Sequence, residues 1–289
     1  MSYPKGAIHR LAKLKEDDFF EAVSEGLSRI IESVAAYDAD REALSESKRP
    51  HGAEVLHALA QEEAAKYLIL MDAVRCPKPR REAHLRAFND HVAKGIYVEC
   101  LAWGPDCFGS IRRDAESERD QYFLDGPMGT DWDFKNRIMG ERENLLYVDC
   151  VDDGNDGFQW VSPQSDPEDL ARLYASRSPI VDLVLAFHAL GCSNVAALSV
   201  IAQKWAEVKV ADDMRAIKLR KMNEETLDEL AAAGVVDPRE EVARSFVIEH
   251  WPFPLHSVEL LRRRVTPADL KAQRERALYE EMGVLESFL

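Results

Sequence analysis

The side chains best suited to proton chemistry in this 289-residue chain are its eight histidines. Imidazole alone, among unperturbed side chains, changes charge between pH 5 and 8. His84 and His91 stand seven apart in a stretch with helical spacing, so they fall on nearly one stripe of that helix. Arg86 precedes His91 with four residues between them. Such a pair can move a proton at the imidazole and hold developing negative charge at the guanidinium. On an ideal helix, residues five apart diverge by about 140°, so the two would meet only across a distorted turn or between two copies of the chain. Spacing alone carries little weight: roughly two Arg–His pairs this close are expected by chance. The second, Arg244–His250, reads as chance. The plain alternative for Arg86 is an i,i+4 ion pair with Asp90, worth a few tenths of a kcal/mol.

The elements that must carry these residues are helical. Apolar residues at three-and-four spacing predict a helix over 16–37, then a polar loop over 38–50. A second helix is expected over 51–74, ended by the prolines of Cys76–Pro79, and a third over 80–103, stopped by Gly104 and Pro105. The second carries Glu62, Glu63 and Lys66, with Glu62 and Lys66 in an i,i+4 arrangement. This cluster reads as a structural polar network that could also position Arg86 or His91. His84 reads as a surface or interface residue. The period then changes. Residues 145–151 and 158–161 read as strands around an Asp/Gly/Asn turn, which predicts a β-hairpin near 144–161. The acidic turn lacks the ladder of a calcium loop. Further helices are expected near 168–190, 193–233, 238–249 and 266–282, the first capped by Asp166 and Pro167. The fold class is therefore mainly α: a helical bundle with a small β-hairpin insertion and additional C-terminal helices. The chain divides weakly into a helical domain with hairpin over 1–177 and a C-terminal helical region over 178–289.

Three segments carry a family resemblance: ALAQEEAAKYLIL (58–70), HLRAFNDHVAK (84–94) and RENLLYVDCVDDGNDGFQWVSP (142–163). In the second, Phe88, His91 and Lys94 form a Phe-x-x-His-x-x-Lys pattern. In the third, Leu146 to Asp149 precede a close made by Trp160, Ser162 and Pro163. In this order the segments resemble the AbiV-type abortive-infection proteins of the HEPN superfamily, over about residues 15–175. The resemblance implies a HEPN-like bundle that pairs into a homodimer. It also implies an Arg-x4–6-His site for metal-independent RNA cleavage, matched by Arg86 and His91, with Glu62, Glu63, Lys66, His84 and Lys94 in support. Lys94, one turn after His91, could then contact phosphate. The usual motif often has a polar residue after the Arg; here it is Ala87. Some members of the superfamily do not cleave RNA, so a non-catalytic binding or sensor module is the competing expectation. The implied setting is phage defence, with RNA as target and an antitoxin or phage-derived protein as a further partner.

Composition limits these readings. The formal charge is −15, which disfavours bulk electrostatic binding to nucleic acid or anionic membrane. Basic residues concentrate in 75–94 and 262–276, each with a net charge of +4, whereas 143–169 holds eight acids and no Lys or Arg. RNA contact is therefore expected only in a narrow basic cleft. The five cysteines form no CxxC pair, so neither a disulfide framework nor a Cys-based zinc site is expected. Glu54-x-x-His57 has no second Glu-x-x-His partner, which argues against a di-metal bundle. No metal or cofactor is expected. No stretch has the length of a membrane span or the pattern of a signal peptide, and a cytoplasmic location is expected.

Overall fold

A computed structural model describes residues 6–120, 136–152, 157–163, 177–237 and 240–261, with the backbone of 124–125 and 131–132 and the isolated positions 268 and 272. The expected cap at Asp166 and Pro167, and all but positions 268 and 272 of the helix expected over 266–282 and of the basic segment 262–276, lie outside the described residues.

The fold is mainly α, as expected. Helices α1 (Glu16–Glu46) and α2 (Pro50–Arg75) pack along each other as the longest pair. From Ala64 to Arg75, α2 is buried at every position except Lys66, so it is the central helix of the bundle. Around it pack α3 (Arg81–Leu85), α4 (His91–Cys100) and α6 (Arg137–Leu146), and α5 (Phe108–Asp120) packs on α4. Helices α7 (Pro179–Ala189), α8 (Val195–Trp205), α9 (Ala216–Ala232) and α10 (Glu241–His250) follow. Their apolar residues join the same core cluster as those of α1 and α2. Strands β1 (Leu124–Asp125) and β2 (Asp131–Trp132) form a minimal pair. Strands β3 (Asp149–Asp152) and β4 (Phe158–Val161) form the expected hairpin, with Cys150 opposite Trp160. Leu145 and Leu146, expected in its first strand, instead close α6.

Three expected helix boundaries move, the first and third for tertiary reasons and the second through a local cap. Helix α1 runs on through the polar residues to Glu46, because Asp38 and Arg41 are buried as an ion pair that Arg177 joins. The single helix expected over 80–103 is broken. α3 passes into a 3-10 turn, Arg86–Asn89, and α4 starts afresh with Asp90 as N-cap, its Oδ1 accepting from the Ala93 N–H at 2.9 Å. The helix expected over 193–233 is interrupted at 206–215, where the backbones of Asp212 and Met214 accept hydrogen bonds from Gly109 and Phe108.

One buried charge pair ties α2 to the segment after α10. Asp72 and Arg75, i,i+3 on α2, are each 1% exposed. Asp72 Oδ2 accepts from the Tyr97 hydroxyl at 2.5 Å and from the Leu255 N–H at 2.7 Å. Arg75 donates to the Pro252 carbonyl at 3.1 Å and lies 4.8 and 4.5 Å from the ring centroids of Trp205 and Trp251. The segment after α10 is thus hydrogen-bonded to the middle of the bundle. Removing one partner of a fully buried pair typically costs 3–5 kcal/mol. Arg75→Ala should lower the free energy of unfolding by about that amount, read from urea denaturation.

Two histidines border this network. Burial pushes the imidazole of His84 below its ordinary range and that of His256 down to about 4. In the unfolded chain both would protonate near pH 6.5. Their neutral burial therefore stabilises the fold fully above that pH, and the contribution is lost as pH falls below it, for His256 down to about 4. The urea midpoint should fall between pH 7.5 and pH 5, and His256→Gln should flatten that slope.

Candidate active site

Glu62, on α2, gathers charged residues from α4 and α6. His91 Nδ1 lies 3.1 Å from both of its carboxylate oxygens. Lys94 Nζ donates to Oε2 at 2.5 Å, and Arg142 Nε donates to Oε1 at 2.8 Å. The break at Asp90 sets this geometry: it starts α4 at His91, so His91 and Lys94 sit i,i+3 on its first turns and both reach α2. Arg142 comes from α6, which lies directly against α4. A Cβ at Gly95 would overlap the Ile138 side chain, so the close approach of the two helices requires glycine there.

Burial would raise the Glu62 carboxyl. Lys94, then Arg142 and His91, outweigh that and hold it below the ordinary carboxylate range. An ionised carboxylate only accepts hydrogen bonds, so the proton of a neutral His91 sits on Nδ1 and Nε2 is left for other work. Among the described residues, Nε2 has no hydrogen-bond partner.

His91 and Glu62 line an open cleft of about 620 Å³ between α2, α4, α6 and the start of α7. His57, Arg142 and Arg177 line it too. Arg177 is bound by Asp38 at 2.5 Å, with Asp182 at 3.4 Å. Four carboxylates also line it, from Glu54, Glu62, Glu99 and Glu141. Among the described residues, no group of three or more His, Cys, Asp and Glu is arranged to hold a metal ion.

The other expected residues are placed as follows. Arg86 is exposed on the 3-10 turn, does not line the cleft, and has no ion pair among the described residues. The alternative pair with Asp90 does not form, because Asp90 is spent as the cap of α4. Lys66 pairs with Glu63 at 2.5 Å, not with Glu62, and stands 5.6 Å from the Phe88 ring. Lys94 is no surface phosphate contact: its side chain is 4% exposed and neutralises Glu62. His84 is no surface residue either. It is buried, with Nε2 3.1 Å from the Ile69 carbonyl and oriented toward the Asp72–Arg75 network. Arg142, Arg177 and His57 were missed as site residues. Arg142 opens the third segment that carries the family resemblance, which was a usable signal; His57 was weighed only as half of an absent metal motif.

The comparison with protein families decides the kinship. The AbiV family model of HEPN proteins matches residues 22–173, just over half the chain, including every element that contributes to the Glu62 cluster. The chain belongs to the AbiV-type HEPN family. No curated protein and no solved structure matches it. No helix among the described residues is long and apolar enough to cross a membrane.

The cluster has a mechanical consequence. Glu62→Ala would leave the buried Lys94 ammonium unpaired and His91 unanchored. It should lower the free energy of unfolding by roughly 3 kcal/mol, checked by urea denaturation, and Glu62→Ala with Lys94→Met should recover most of that loss.

Proposed function

We propose that this AbiV-type HEPN protein is an abortive-infection factor that cleaves RNA without a metal, with His91 as the proton-transfer group and Arg86 as the charge-stabilising group. The observation that carries the reading is His91 itself, fixed by a carboxylate at Nδ1 and 35% exposed in the wall of an open cleft. A carboxylate-anchored imidazole has a defined tautomer and orientation, which proton transfer to or from a bound hydroxyl requires. Arg86 supports it by exposure: among the described residues its guanidinium has no ion pair, and it stands on the turn that leads into α4 at His91, outside the lining of the cleft. The reaction is attack of a ribose 2′-OH on its own phosphodiester. It yields a 2′,3′-cyclic phosphate and a 5′-hydroxyl. The reading includes a cytoplasmic homodimer, released or triggered by an antitoxin or phage-derived protein.

A second reading rests on the hairpin. Phe158 and Trp160 are each 71% exposed on one face of a strand pair rich in acids. Such a surface suits a protein partner and repels RNA. It favours a non-catalytic binding or sensor module.

The purified full chain should cut a single-stranded oligoribonucleotide in EDTA and leave the 2′-deoxy analogue intact. Arg86→Ala and His91→Ala should each lower the rate at least ~100-fold, with unchanged thermal melting. Activity that survives both substitutions overturns the assignment. Absence of cleavage by the wild type favours the binding module.

A further inference from the structure

Cleavage by a 2′-OH moves two protons: one leaves the nucleophile and one reaches the 5′-oxygen as it departs. The Arg-x4-His pattern supplies one histidine. The cleft supplies another. His57 lies on α2, five residues before Glu62, about 7.5 Å along the helix axis, and it lines the same cleft of about 620 Å³ as His91. We propose that His57 is the general base of this site and His91 its general acid, an assignment that rests on the ribonuclease reading above.

The surroundings of the two rings separate their roles. His91 has the Glu62 carboxylate at Nδ1, which fixes its ring and leaves Nε2 as the nitrogen that exchanges a proton with substrate. His57 has no such anchor: among the described residues, neither of its ring nitrogens is hydrogen-bonded. Facing it from α1 are Arg41 and Asp38. The Asp38 carboxylate is already held by Arg41 at 3.0 Å and by Arg177 at 2.5 Å. The other charged groups of the cleft are Glu54, Glu62, Glu99, Glu141 and Arg142. Burial first, then Arg41, push the His57 imidazole below its ordinary range, while Asp38 acts in the opposite sense. A neutral ring results at pH 7, as a base requires.

The step balances. A neutral nitrogen of His57 takes the 2′-OH proton as the O2′–P bond forms. The P–O5′ bond breaks, and the proton on His91 Nε2 passes to O5′. His57 ends protonated and His91 neutral, and solvent exchange restores both.

The test uses the full chain in EDTA on two single-stranded oligoribonucleotides. One has ordinary linkages. The other has a 5′-bridging sulfur at one linkage, whose thiolate leaves without protonation. His57→Asn is expected to lower the rate at least ~100-fold on both substrates and to remove the acidic limb of the wild-type pH–rate profile. His91→Ala is expected to lose as much on ordinary RNA and to recover most of it on the sulfur substrate. Melting curves check that each variant folds, and His57→Gln replaces the Asn variant if it does not. A His57 variant that cuts ordinary RNA at the wild-type rate overturns the proposal and leaves the ribonuclease reading standing. Recovery of the His57 variant on the sulfur substrate overturns its role as base. A wild type that cuts neither substrate overturns the ribonuclease reading and this assignment with it.

Discussion

A buried carboxylate cannot stay ionised unless the fold brings it donors, and Asp72 is the point on which this structure turns. Burial would push its carboxyl up, yet Arg75, His84 and Tyr97 hold it below the ordinary range. Meeting that demand draws in α4 through Tyr97 and the segment after α10 through Leu255, while Arg75 collects the Pro252 carbonyl and two indole faces. The aromatic residues Tyr67, Phe187, Trp205 and Trp251 then pack around the pair at ring separations of 5.0–6.1 Å. The C-terminal helices share the bundle's core.

The same helix repeats the arrangement three turns earlier in a wetter setting. Glu62 is 20% exposed, against 1% for Asp72. Its partners are correspondingly split. Lys94 faces inward and neutralises it, while His91 and Arg142 line the open cleft. One carboxylate thus serves packing on one side and orients an imidazole on the other. The close fit of α6 on α4 at Gly95 and Ile138 keeps Arg142 within reach. This explains how a chain of charge −15 can present a cleft with cationic groups: each lining arginine is paired with acids that hold it in place.

Much of the architecture was legible from residue order. The apolar spacing of Phe19 to Val34 and of Ala60 to Val74 placed α1 and α2, and the Asp/Gly turn placed the hairpin. The break before α4 was written in Asn89–Asp90, a pair that favours caps over helix interiors, but continuous apolar spacing on both sides masked it. The extension of α1 to Glu46 was not legible, because Asp38 and Arg41 look like loop residues until Arg177, more than a hundred positions away, buries them.

By itself, the sequence determined the class of fold, the family and the chemical types available, because periodicity, caps and short motifs are encoded within a few residues of one another. Which charges meet was decided by tertiary structure alone. The three partners of Glu62 lie 29, 32 and 80 residues from it. Lys66, one turn away and apparently ideal, belongs to Glu63. The physical reason is that a half-buried carboxylate is satisfied by whichever cations the packing excludes from water with it, and sequence distance does not enter that energy.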